Sequence, residues 1–297
     1  MDQKIVPNLW FDDNALQAAE FYVTTFEHSK ILHKTVIPDT PSGDAQSVTF
    51  ELDGIVLSAI SGGPFFTFNP SISFYVFCDT KEEVDRLWKK MNQNATILME
   101  LMEYPFMKYF GWIQDQFGLS WQICLDESRG KEKQKIVPCL LFSSEVAGNA
   151  QKALDFYQKI FTSFKFHKHE YYDSEELIQK QPHVKYAEFE ICNFTMVVMD
   201  HIMEADFSFN EAISFMISCE NQEELDLYWE ALSYDVQAEQ CGWLKDQFGL
   251  SWQIIPKDFG DIMSYAAPEK MEKLTKAFLK MKKLDMKKLK EIAESDL

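Results

Sequence analysis

Short apolar runs alternate along this chain with helical stretches that carry one apolar face. Residues 4–11 are apolar, end at Asp12, Asp13 and Asn14, and read as a strand. Asp13 or Asn14 is placed to cap a helix over 15–26, with Leu16, Ala19, Phe21 or Tyr22, and Phe26 on its buried side. Three strand-like runs follow, 30–37, 46–52 and 55–60, the last two joined by Asp53-Gly54, a two-residue hairpin signal. The order then recurs. Residues 71–78 form a strand, Thr80 caps a helix over 81–92, and strands follow at 96–103, 111–114 and 120–125. This pattern predicts two βαβββ modules in the first 125 residues.

The whole pattern is then repeated. GWIQDQFGLSWQI begins at Gly111 and GWLKDQFGLSWQI at Gly242, 131 residues later, with eleven of thirteen positions identical. IVP at Ile5 returns at Ile136, Phe21-Tyr22 at Phe156-Tyr157, Phe68-Asn69 at Phe209-Asn210, and EEVDRLW as EELDLYW. The offset climbs from 131 to 141 and falls back, so the second copy is ten residues shorter between its second helix and the Trp-rich motif. Strand 134–142, a helix over 148–161 and Asn193 in a turn follow the first copy. The unit is of domain length, which predicts an α+β chain of four βαβββ modules in tandem duplication. The expected domains are 1–127 and 133–257, with a polar linker over 126–135 and a C-terminal tail over 258–297.

Composition narrows the function classes. The net charge is −18, and because 257–297 hold ten lysines against eight acidic residues, the body carries −20. Such a surface repels phosphate backbones, so no nucleic-acid partner is expected. No apolar run approaches a membrane span, and the first residues lack a signal-peptide pattern, so the expectation is a cytoplasmic chain with no membrane partner. The six cysteines show no CxxC spacing and read as buried thiols. In the tail, residues 268–294 place Met271, Leu274, Phe278, Met281, Leu284 and Leu289 near helical spacing, interrupted at Asp285 and Met286. That predicts one bent helix or two short ones packed on the protein's own surface.

Paired modules ending in Asp-x-x-Gly-x-x-Trp-Gln resemble the vicinal oxygen chelate superfamily of glyoxalases, bleomycin-resistance proteins and dioxygenases. Within it the chain resembles the PhnB-like family labelled "3-demethylubiquinone-9 3-methyltransferase". The opening P-x-L-x-F, the FY that follows, Ser61-Gly62-Gly63-Pro64 before Phe68-Asn69, the doubled GW-x-x-DQFGLSWQI and the tail over 276–292 carry the likeness. The resemblance implies curled sheets that form open cups, and an intrachain pseudo-dimer of the two repeats with room for further oligomerisation. Methyl transfer is not expected, because the glycines that follow a strand precede Pro64 rather than a helix.

Superfamily enzymes hold a divalent metal through His, His and Glu. The resemblance maps those positions onto Pro7, Ser73 and Gln122, and in the second repeat onto Pro138, Ser214 and Gln253. Proline has no ligating side chain, and serine and glutamine do not offset a metal's charge, so no metal and no other cofactor are expected. His167 and His169 form an HxH that a strand would point to one face, a spacing zinc can use, although exposed strand histidines are the plainer expectation.

Alternation places Ser120, Gln122 and Cys124 on one face of the last strand, and Ser73, Tyr75 and Phe77 together on another. The expected ligand-binding set is Ser73, Tyr75, Ser120 and Gln122, with Ser214, Ser251 and Gln253 as the second copy. It suits a small, flat or apolar molecule whose identity the sequence leaves open. No general base is evident, and Glu100, Glu103 and Glu239 are weak candidates for an acid. Asp115 and Gly118 read as a turn. Three functions stay open: a metal-independent small-molecule binder, a metal-dependent lyase, isomerase or dioxygenase with non-standard ligands, and a partner-binding role for the acidic surface.

Overall fold

The computed structural model describes residues 3–130, 132–173, 183–265 and 268–295. The first repeat contains β1 (Ile5–Phe11), α1 (Ala15–Thr25), β2 (Lys30–Thr40), β3 (Gly43–Leu52), β4 (Ile55–Ser61), β5 (Ile72–Cys78), α2 (Lys81–Met91), β6 (Thr96–Tyr104), β7 (Met107–Gln114) and β8 (Ser120–Leu125). The second contains β9 (Ile136–Phe142), α3 (Ala150–Ile160), β10 (Lys165–Tyr171), β11 (Val184–Ile191), β12 (Phe194–Asp200), β13 (Ile213–Cys219), α4 (Gln222–Leu232), β14 (Trp243–Lys245) and β15 (Ser251–Pro256). The tail adds α5 (Phe259–Tyr265), α6 (Pro268–Phe278) and α7 (Met286–Glu294).

Local chemistry accounts for most boundaries. Thr80 Oγ1 accepts from Glu83 N and Asn221 Oδ1 from Glu224 N, so α2 and α4 begin on side-chain caps. Asp53 (φ 44°) and Gly54 (φ 88°) both lie in the left-handed region, as the tight hairpin between β3 and β4 requires, and Cys192 and Asn193 repeat the turn between β11 and β12. The start of α1 differs from expectation. Neither Asn14 nor its counterpart Asn149 caps through its side chain. Instead the strand that returns beside the helix supplies the acceptor: Ser61 Oγ for Ala15 N, and Asp200 Oδ1 for Gly148 N and Ala150 N.

Neither sheet belongs to one repeat. The seven-stranded sheet runs β14-β15-β13-β1-β4-β3-β2 and the eight-stranded sheet β10-β11-β12-β9-β5-β8-β7-β6. Each therefore joins half of one repeat to half of the other. The seams are antiparallel, β1 on β13 and β5 on β9. They are related by a pseudo-twofold that the side chains also obey. Lys4 pairs with Glu224 across one seam and Lys135 with Glu83 across the other, both at 2.5 Å. Asn69 Nδ2 donates to Ser208 O, and Asn210 Nδ2 to Thr67 O.

The main core lies on the helix-bearing faces of the two sheets, around Tyr22, Phe50, Phe74, Trp121, Tyr157, Phe189, Phe215 and Trp252. The opposite faces of the two sheets are those that the resemblance reads as cups.

Two departures from strict repetition follow from length. The fourth module has two strands after its helix, because the ten missing residues are replaced by a single 3-10 turn, Val236–Ala238. The tail compensates at that edge: Cys241 N and Gly242 N donate to Met281 O and Lys282 O. The tail forms two helices beyond Pro268, with Asp285 Oδ1 capping α7 through Lys288 N, and it buries Leu274, Leu284 and Leu289. Helix α6 packs along β2, the other edge of the same sheet.

The HxH pattern does not align its rings. A bulge between Phe166 and Lys168 shifts the register of β10. His169 sits opposite Ala187 on the core side, stacked on Phe166 with centroids 5.4 Å apart, whereas His167 reaches Glu190 on the other face.

Candidate functional site

The repeated motif is first a structural lock. Asp115 Oδ1 accepts from Phe117 N and Leu119 N, and Oδ2 from Tyr22 OH and Trp121 Nε1 at 2.8 Å each. Asp246 repeats all four bonds with Phe248 N, Leu250 N, Tyr157 OH and Trp252 Nε1. Gly118 (φ 84°) and Gly249 (φ 82°) supply the turn that brings those amides round. Burial pushes both carboxyls above their usual range, against the pull of the four donors. These residues face the core, away from the cups, and serve the turn reading.

The cups are built from rows of side chains that cross several strands. In the seven-stranded cup the register aligns Ser251 with Ser214, Ser214 with Asn8, Asn8 with Ser58 and Ser58 with Thr49. In the eight-stranded cup the same row reads Ser120, Ser73, Cys139, Val197 and Glu188. One row over, Gln253 and Gln122 each donate back: Gln253 Nε2 to Ser214 Oγ at 2.9 Å and Gln122 Nε2 to Ser73 Oγ at 2.8 Å. Ser73, Ser120, Ser214 and Ser251 are fully buried, as is most of Tyr75. The expected alternation on β8 and β5 therefore holds, and the structure brings the expected residues together as two separate sets.

The prolines are placed differently from expectation. Pro7 lies opposite Phe215 and Pro138 opposite Phe74, both on the core face. The cup-facing residues of those strands are their successors, Asn8 and Cys139. Each lies beside strands of the other repeat, because β1 abuts β13 and β9 abuts β5. Alternation along β1 carried this signal, since Ile5, Leu9 and Phe11 form the apolar set and Asn8 is the polar exception.

The two cups have different contents. The eight-stranded cup holds a second apolar cluster of Tyr75, Phe77, Phe110, Cys124, Val137, Cys139 and Val197. Over it lies Arg129 from the linker, 3.8 Å from the Phe77 ring centre, in a 3.1 Å ion pair with Glu188. Tyr186 OH donates to the same carboxylate at 2.9 Å. Arg129 and Glu188 are both more than nine-tenths buried. Sequence reading missed this pair, because a charged linker residue carries no periodic signal. Glu100 and Glu103 lie on the edge strand β6, exposed, and Glu239 binds Ser233 and Lys282.

Among the described residues, the seven-stranded cup holds no buried arginine–glutamate pair of this kind. Ser251 Oγ is buried without a hydrogen-bond partner. Its counterpart Ser120 accepts from Trp112 Nε1 at 2.7 Å. Trp243, which occupies the position of Trp112, instead meets Trp10 edge to face at 6.1 Å. Trp10 is held in turn by its Nε1 bond to Gly63 O. Gly62 is required here, because a Cβ would meet the Trp10 ring at 2.3 Å.

In the eight-stranded cup the thiol and the two tyrosine hydroxyls stay protonated near neutral pH. Burial raises the Cys139 thiol to about 12 and lifts the Tyr75 and Tyr186 hydroxyls far above their ordinary range. Among the described residues, no group of three His, Cys, Asp or Glu side chains is arranged to hold a metal. The superfamily's divalent ion does not fit donors that are hydroxyls and amides. No helix among the described residues is long and apolar enough to cross a membrane.

Comparisons with known proteins agree with this architecture. The family model described as 3-demethylubiquinone-9 3-methyltransferase matches twice, over residues 3–124 and 134–255. A solved structure titled putative 3-demethylubiquinone-9 3-methyltransferase, PhnB protein, from Bacillus cereus is 37% identical over 42% of this chain and 100% of its own, with a TM-score of 0.39. Glyoxalase I from Zea mays is 10% identical, covers 90% of this chain and 99% of its own, and superposes with a TM-score of 0.57. A putative dioxygenase from Bacillus subtilis subsp. subtilis str. 168 is 11% identical over 91% of this chain and 93% of its own, at a TM-score of 0.51. At these identities the last two show a shared fold. No match is found among curated proteins.

Proposed function

This chain belongs to the 3-demethylubiquinone-9 3-methyltransferase family, a PhnB-like branch of the vicinal oxygen chelate fold, and from that premise we propose that it binds a small molecule in a cup without the help of a metal. The observation that carries the reading is the pair of glutamine–serine bonds, Gln122 to Ser73 and Gln253 to Ser214, at the positions to which the resemblance assigns metal ligands. Neutral donors and acceptors orient a ligand by hydrogen bonds, whereas a divalent ion needs anionic or imidazole ligands. Tyr75, Ser120 and Ser251 line the same faces and belong to the proposed binding set.

Methyl transfer is not part of this reading. Gly62 and Gly63 pack against Trp10 and Ser42 and lead to Pro64, so they do not open a helix toward a bound nucleoside. The alternative is a metal-dependent lyase, isomerase or dioxygenase with non-standard ligands. Elemental analysis of the purified chain separates the two. The binding reading expects no stoichiometric metal. One metal per chain that is lost in Gln253→Ala or Gln122→Ala would sink it.

A further inference from the structure

We propose that the seven-stranded cup alone takes the ligand, and that the ligand is an uncharged, flat molecule bearing an amide or hydroxyl group. This rests on the small-molecule reading above and narrows it to one site and one chemical class.

The argument begins with hydrogen-bonding capacity. A buried polar atom without a partner is rare in folded proteins, and one that faces a concave surface calls for an outside partner. Ser251 Oγ is such an atom, in a fully buried residue on the cup face. Farther along the same row, Asn8 is 5% exposed and Ser58 7%, and both add polar side chains to the cup face. Gln253 uses its Nε2 on Ser214, which leaves its carbonyl oxygen to accept. The row thus offers donors and acceptors side by side between His33, opposite Thr49, and Lys245, opposite Ser251, whose charge is offset by Glu211 at 2.9 Å. Nearby Lys30 and Glu51 lie 3.6 Å apart and offset one another. A charged ligand would leave water here without a counter-charge, a penalty that a neutral one avoids. The indoles of Trp10 and Trp243 add aromatic surface on the same face, which favours a flat partner.

The eight-stranded cup has one unpartnered polar atom of its own, Arg129 Nη2, but it belongs to a cation already paired with Glu188. Its equivalents of Asn8 and Ser58 are Cys139 and Val197, its serine hydroxyl is taken by Trp112, and Arg129, Glu188 and Tyr186 fill its space. The tail also discriminates, for it spans β2 and β14, the two edges of the seven-stranded sheet.

The test uses the full chain, freed of metal by chelation, titrated with benzamide and with benzoate by calorimetry and ligand-observed NMR. Benzamide is expected to bind at one site per chain with a dissociation constant of about 1 mM or tighter, the range for a fragment of its size. Benzoate should bind at least about tenfold more weakly, as expected for a charge buried without a partner. Asn8→Leu should weaken benzamide by about tenfold or more, the worth of one buried hydrogen bond, and Tyr186→Phe, in the other cup, should leave it unchanged. If Asn8→Leu does not fold, Ser251→Ala carries the same expectation. Two sites per chain, or loss through Tyr186→Phe with Asn8→Leu unaffected, overturns the assignment to this cup. Equal binding of benzoate, or no binding of benzamide, overturns the ligand class. Benzamide binding that appears only after Mn2+ or Ni2+ is added overturns the metal-independent reading itself, independently of which cup is used.

Discussion

The two cups are built by the same topology, yet they leave different buried polar atoms without a partner: Arg129 Nη2, on a paired cation, in one and the neutral Ser251 hydroxyl in the other. In the eight-stranded cup every buried charge has a local partner: Arg129 has Glu188 and the Phe77 ring, and Glu188 also has Tyr186. In the seven-stranded cup the equivalent row is hydroxyl and amide, and one hydroxyl, Ser251, has no partner. The difference teaches that duplicated strands can keep their register while their chemistry diverges. Hydrogen bonds between backbones hold the sheet, and the cup-facing side chains are free to change.

The largest effect that would sharpen the contrast lies in the Arg129–Glu188 pair. Arg129→Ala leaves Glu188 buried with a single hydroxyl donor and should cost about 3–5 kcal/mol of stability, measured by urea unfolding. Arg129→Met combined with Glu188→Leu removes both charges and should restore most of that loss. Equal losses in the single and double variants would show that the pair is not what fills the cup.

A middle-sized effect tests what the cups share. Asp115→Asn and Asp246→Asn each disturb four hydrogen bonds and should cost about 2–3 kcal/mol, alike in the two repeats. Both carboxyls have folded values raised by burial. A raised carboxyl binds its proton more tightly in the folded state, so its contribution is greatest below the unfolded value and declines as pH rises through the folded one. The gap between the parent and Asp115→Asn should therefore narrow as pH rises from the acid end through the carboxylate range. A gap that widens instead would mean that the four donors outweigh burial.

The smallest effect compares the twin serines. Ser120→Ala strips the acceptor from Trp112 Nε1 and should cost about 1 kcal/mol. Ser251→Ala removes a hydroxyl without a partner and should leave stability unchanged or slightly higher. If the two behave alike in thermal unfolding, the asymmetry between the cups is weaker than the geometry implies.

Much of the fold was legible in the sequence because local signals carried it. Asp53-Gly54 announced a hairpin, Thr80 a helix cap, and the motif at Gly111 and Gly242 a duplication, and each stands in the structure. The pairing of the repeats was not legible, because no periodicity records that Asn8 will lie beside Ser214. The helix caps at Ser61 and Asp200 come from strands about fifty residues away. The bulge after Phe166 defeated the alternation that would have aligned two histidines. Alternation along β5, β8, β13 and β15 put the serines and glutamines of each set on one face, where the glutamines bond to the serines. The same rule applied to β1 would have turned Pro7 toward the core and brought Asn8 forward.

The crossed seams carry an evolutionary consequence. Two identical copies of one repeat, paired without a covalent link, would have two identical cups, and any substitution would appear in both. Joined in one chain, the cups mutate separately. Arg129 makes the point: it comes from the segment that links the copies, and the residue 131 positions later is Gly260, which has no side chain to offer. Fusion thus released the pair from symmetry. One cup could take an arginine while the other kept the Ser251 hydroxyl without a partner.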